Sequence, residues 1–195
     1  MDPASTNPNS GAQPSAESVQ KSIMEFQVTN GLRLTSHTES QSTLRLFAKK
    51  LWQRIAAAFK VWENATNLKF EAVNRGHYTI DIRFDRGEHS DGPSSTLGHE
   101  HPIDAWGSVI QFDDNENWTI DSNEGTNLFQ VAVHEIGHSL GLSHSDVQSA
   151  VMFEHYQGYQ KNFKLDHDDE LAIQALYGKK SQQDQLNNLV HCGLQ

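Results

Sequence analysis

His134, His138 and His144 stand in the run His134-Glu135-Ile136-Gly137-His138-Ser139-Leu140-Gly141-Leu142-Ser143-His144. Histidines four apart on a helix project from one face a single turn apart, which is the separation that two ligands of one zinc ion require. Gly141 suits the left-handed residue that ends a helix, so the chain can double back and bring His144 in from another direction as a third ligand. Three imidazoles leave one tetrahedral position for water. Glu135, beside the first ligand, is then placed to take a proton from that water and later pass it to a leaving amine. Two histidines four apart arise readily in an ordinary core helix. Five specified positions arise by chance in on the order of one chain in ten thousand or fewer, so the run reads as a site.

The composition narrows the class. The chain has 195 residues, with Lys+Arg 15 against Asp+Glu 25 and a net charge of −10. That is one globular domain with too few cations for a nucleic-acid surface. No apolar run is long enough to span a membrane. A single cysteine, Cys192, excludes an internal disulfide framework and a multi-cysteine zinc site, whereas eleven histidines point to nitrogen and oxygen ligation.

The elements that must position these residues are legible in outline. Residues 1–22 carry prolines 3, 8 and 14 among Ser, Asn, Gln and Gly, and read as a disordered leader without the basic start and apolar stretch of a secretory signal. A short strand is expected at 23–28. Leu44, Phe47, Leu51, Ile55, Phe59 and Trp62 predict an amphipathic helix over 43–64. Leu68, Phe70 and Ala72, and then Ile80, Ile82 and Phe84, alternate as half-buried strands do, and Ile110 with Phe112 begins another. Residues 85–108 read as a long loop around a short strand at 95–99. Helices follow over 126–140 and 168–177, the latter with Asp168 and Asp169 at its positive end. The segment 179–195 reads as a flexible tail.

With its extended histidine motif the chain resembles the metzincin metallopeptidases, and most closely the matrix metalloproteinases. Met152 stands where the clan's methionine turn lies beneath the metal. Ser145 after the third histidine, Asn127 to His134, Asp168 to Gly178, and Phe59-Lys60-Val61-Trp62-Glu63-Asn64 are similar to that family. An astacin-like enzyme would carry Glu and Tyr where Ser145 and Glu154 stand. The resemblance covers about 23–178, a catalytic domain without switch propeptide or propeller. It implies an α/β zincin-like fold, a twisted and mostly parallel five-stranded sheet with three helices and a zinc cleft.

The same resemblance implies a set of roles. The strand at Thr96 to His99, with Leu97, becomes the sheet edge along which substrate lies. Gln130, Tyr156 and the loop 157–165 line the pocket for the residue after the scissile bond. A second, structural zinc is implied at His89, Asp91 and His99, with Gln111 where the fourth ligand belongs and His101 on the same strand face as its substitute. Asp113 and Glu116 match calcium ligands, although the calcium loop is several residues short. Cys192-Gly193 resembles the family's inhibitory switch, but His191 and Leu194 do not match the rest of that motif, so it reads as an incidental thiol. The implied setting is secreted and extracellular. A monomer is expected to act on protein or peptide substrates and to meet proteinaceous metalloproteinase inhibitors.

The expected activity is therefore a zinc endopeptidase. Two other readings use the same motif. A protease-fold binding module would keep zinc without turnover, and would place no demand on Glu135. A zinc hydrolase of small molecules would have no use for a peptide-binding edge.

Overall fold

The computed structural model describes residues 23–28, 41–73, 79–85, 97–104 and 107–180. Five strands form one sheet in the order β2-β1-β3-β5-β4. They are β1 (Ile23–Val28), β2 (Lys69–Ala72), β3 (Ile80–Asp85), β4 (Gly98–Asp104) and β5 (Gly107–Asp113). β1 pairs in parallel with β2 and β3, and β3 with β5. β4 alone runs antiparallel, and it lies at one edge of the sheet with β2 at the other. Three helices complete the fold: α1 (Gln41–Ala65), α2 (Leu128–Ser139) and α3 (His167–Tyr177). A small parallel pair, β6 (Trp118–Thr119) and β7 (Thr126–Asn127), leads into α2.

The apolar stripe of α1 explains its place. Leu51, Ile55, Ala58, Phe59 and Trp62 are buried against Ile80, Ile82, Ile110 and Phe112 of the sheet and Ile136 of α2. Each such side chain contributes roughly 1.5–3 kcal/mol when removed from water. The Trp62 indole also donates to Val133 O at 3.0 Å, which satisfies a buried N–H and fixes α1 against the helix that carries the motif. At the end of α1, buried Glu63 accepts from Phe70 N at 2.8 Å, and Lys180 Nζ donates to Glu63 O at 3.0 Å.

The strand expected at 95–99 begins later and runs further. β4 occupies 98–104 inside what reads as loop, because its two faces carry His, Glu and Gly instead of alternating apolar residues. The helices differ from their expected bounds by one or two residues at most ends. The leader 1–22, the tail residues 181–195 with Cys192, and the ligand candidates His89 and Asp91 lie outside the described residues.

Candidate active site

Asn127 caps α2, its side chain accepting from Gln130 N, and the helix then runs straight through the first two histidines. It ends in a Schellman turn. Leu142 N donates to Gly137 O at 3.0 Å and Gly141 N to His138 O at 2.8 Å, with Gly141 at φ 90°. The turn does two things for the site. It reverses the chain toward His144, and it presents Leu142 O to His138 Nδ1 at 2.8 Å. His134 Nδ1 likewise donates to Val151 O at 2.7 Å.

A carbonyl can only accept, so both Nδ1 atoms carry the proton and both Nε2 atoms keep a lone pair. The two Nε2 atoms lie 3.1 Å apart, and one ligand atom from each of His134, His138 and His144 falls within 4.8 Å of the others. Two lone pairs held at that distance repel unless they share a cation. Tetrahedral zinc with bonds of ~2.0–2.1 Å to nitrogen would set its ligands about 3.3 Å apart, so the donor set fits. Burial pushes His134 down to about 4, with neighbouring His138 and His144 adding to the effect, and burial lowers His138 as well. Both rings are neutral at physiological pH, as ligands must be. Among the described residues this is the one group of three that could hold a metal.

Met152, 2% exposed, packs its sulfur against Gly137 of the motif helix, and its turn is held from α3. Asp169 accepts from Val151 N at 2.8 Å and Met152 N at 3.0 Å, and closes the α3 capping box through Asp166 N. Asp169 therefore fixes the carbonyl that orients His134. The sequence marks Asp169 only as an acidic residue at a helix start; its second task depends on a contact seventeen residues away in the chain. Ser145 Oγ donates to Asp168 at 2.7 Å and ties the segment after His144 to the same helix.

Glu135 is 5% exposed and its carboxyl is pushed up to about 8, first by burial and then by the charge of Glu100. It lines a cavity of about 800 Å³ together with the three histidines, Leu97 and Tyr156. Gln130 reaches the same cavity and does more than line it. Its Nε2 donates to Gly158 O at 2.9 Å and its Oε1 accepts from Gln160 N at 2.6 Å, so the side chain clamps the loop to α2. The Tyr156 hydroxyl accepts from Asn127 N at 3.0 Å, and Phe163 packs edge-on against Phe129 at 5.2 Å.

A profile of the matrixin family matches residues 30–178. The chain belongs to the matrixins. This matrixin is 44% identical over 139 residues to the hatching enzyme of Paracentrotus lividus, covering 65% of this chain and 22% of that one. It is 43% identical over 136 residues to matrilysin of Rattus norvegicus, covering 66% and 51%. With matrix metalloproteinase-20 of Homo sapiens it shares 39% over 157 residues, 76% of this chain and 31% of that protein. The chain thus matches about half or less of the length of these relatives. The family is zinc-dependent, and the triad gives this matrixin a site built for that ion. No helix among the described residues is long and apolar enough to cross a membrane.

The other expected metal positions are less complete. Asp113 is fully buried; its Oδ1 accepts from Asn115 N and Nδ2, and its Oδ2 has no hydrogen-bond partner among the described residues. Glu116 accepts from Thr126 Oγ1. Gln111 does face away from Ile110 and Phe112, and it lies opposite His99, whose Nε2 donates to Gln111 Oε1 at 2.9 Å. His101 shares the strand face, its ring 4.2 Å from that of His99.

Proposed function

We propose that this chain is a zinc endopeptidase that cleaves extended polypeptide, in a secreted, extracellular setting. The observation that carries the reading is the convergence of three imidazoles, two locked by Nδ1–carbonyl bonds, beside a buried glutamate in a cavity bounded by an edge strand. His134, His138 and His144 would hold zinc, which when bound polarises the scissile carbonyl and eases deprotonation of water. Glu135 takes the proton. Burial raises the proton affinity of this carboxylate, so a proton taken from water is held there until it passes to the departing nitrogen. The free edge of β4 binds substrate backbone as an added strand, with Leu97 at its start. Gln130, Tyr156 and the clamped loop form the wall of the pocket for the residue after the scissile bond.

Two further cation sites belong to the same proposal. Asp113 and Glu116 would serve calcium, a role supported by the buried Asp113 Oδ2, which has no hydrogen-bond partner among the described residues. His99, with His89 and Asp91, would serve a weaker structural zinc, with His101 in place of the fourth ligand that Gln111 does not supply.

The test is incubation of zinc-loaded protein with a mixed peptide library, with and without chelator, read by mass spectrometry. Internal cleavages that the chelator abolishes are expected. Glu135→Ala should retain zinc and the fold and lose hydrolysis, because Glu135 handles the proton and does not ligate. Half of wild-type turnover in that variant would remove it from the mechanism.

A further inference from the structure

Glu100 is a charged residue of the cleft that the reaction above leaves without a task. It lies on β4 two residues from Gly98, so the two share one face of the strand at a separation of roughly 6.7 Å. That face looks onto the glutamate at the centre of the site. A Cβ added at Gly98 would meet Glu135 Cγ at 3.3 Å, so the strand face that carries Glu100 lies against Glu135.

Glu100 lines the cavity, half-buried, with Ser108 and the exposed His101 as neighbours. The cavity is also lined by Glu135 and Glu154, and among the described residues by no lysine or arginine. Glu154 already has a partner, His155 Nε2 at 3.2 Å. Glu135 is almost wholly buried, faces into the cavity and has no hydrogen-bond partner among the described residues. Among the described residues the wall carries no permanently cationic side chain, so the fixed positive charge of the cleft would be zinc at the three histidines, and Glu100 lies outside that ligand set. Glu100 is drawn partly out of water with only Ser108 and the exposed His101 beside it, so an arriving ammonium or guanidinium can offset the cost of that burial.

We propose that Glu100 is a specificity-determining residue that draws a lysine or arginine side chain of the substrate into the cleft, within two residues of the scissile bond. The inference rests on the endopeptidase reading. Backbone pairing along β4 is blind to side chains, so discrimination must come from groups such as this one. The distance along β4 from Gly98 to Glu100 spans about two residues of an extended substrate at ~3.3 Å each, which sets the expected position.

The experiment uses zinc-loaded protein and peptides sharing one neutral cleavage sequence, with Lys, Gln or Glu at each of the two positions on either side of the cut. At one of those positions Lys should exceed Gln in kcat/KM by about tenfold at low salt, a margin that shrinks as salt rises. Glu100→Gln should bring that ratio close to one, and Glu100→Lys should turn the preference toward Glu over Gln. A wild-type enzyme without a Lys preference at any position, or a preference that persists in Glu100→Gln, overturns the assignment. The Kd ratio of the Lys and Gln peptides is measured in parallel by fluorescence anisotropy on the Glu135→Ala background. If wild type cleaves none of the peptides, the endopeptidase reading falls. The Kd ratio with and without Glu100→Gln then still decides the role of Glu100.

Discussion

The sulfur of Met152 fills the space that a Cβ on Gly137 would need, and the Trp62 ring bounds the same space at 3.0 Å. Gly137 is thus a close-approach glycine in the middle of the motif helix. In an open helix, replacing it by alanine would stabilise by about 1 kcal/mol. Here Trp62 is 0% and Met152 2% exposed, so neither can move into solvent, and overpacking costs about 1–3 kcal/mol. Gly137→Ala should therefore lower the melting temperature by several degrees and weaken zinc binding. Thermal unfolding checks the sign. In the double variant with Met152→Ala, the loss should be smaller than the sum of the two single losses.

Removing Asp169 releases Val151 N and Met152 N together and leaves Val151 O free to turn away from His134. Partners that orient a metal ligand are typically worth ten- to a hundredfold in affinity. Asp169→Ala should lose zinc affinity by about that factor in a chelator competition titration, whereas Asp168→Ala, which removes only the bond to Ser145 Oγ, should lose less.

Gln130 holds the loop through Gly158 and Gln160 at once. Gln130→Ala should loosen that wall and broaden the range of residues accepted after the scissile bond. A cleavage-site profile that stays as narrow as wild type would argue that the loop is held by Phe163 on Phe129 alone.

Acid should weaken the metal-free protein in a defined window. Burial holds His134 at about 4, below the 6.5 of an unfolded histidine. Between these values the unfolded chain binds the proton and the folded chain does not, so stability is retained above about 6.5 and falls as pH drops toward about 4. At 1.36 kcal/mol per unit the loss from this ring is at most about 3 kcal/mol. Urea midpoints of metal-free protein between pH 7 and 4 should show it, and His134→Gln should flatten the curve across that window.

The motif was legible because its chemistry is local. Four-residue spacing on a helix and a helix-ending glycine set His134, His138 and His144 without reference to the rest of the chain. The amphipathic stripe from Leu51 to Trp62 was legible for the same reason. β4 was not, since an edge strand with Glu100 and His99 on opposite faces has no apolar period to read. Nor could spacing reveal Asp169 under Val151 or Glu100 beside Glu135, because both meet their partners only through tertiary packing. Gln130 could be assigned to the pocket, but its bidentate hold on Gly158 and Gln160 depends on where the loop returns.

The Schellman turn at Gly141 has a consequence for how the chain is held together. It gathers all three imidazoles from eleven consecutive residues, 134–144. A crosslink that closes so short a loop removes little freedom from the unfolded chain, since closure entropy grows with the logarithm of loop length. An ion in this site therefore cannot act as a staple between distant parts of the polypeptide. That service falls to covalently unremarkable contacts, Trp62 to Val133 and Lys180 to Glu63, which join segments 71 and 117 residues apart. Chelation should accordingly leave the sheet and α1 in register while disordering the short arc around His144, and hydrogen exchange would show the difference as protection lost over one turn.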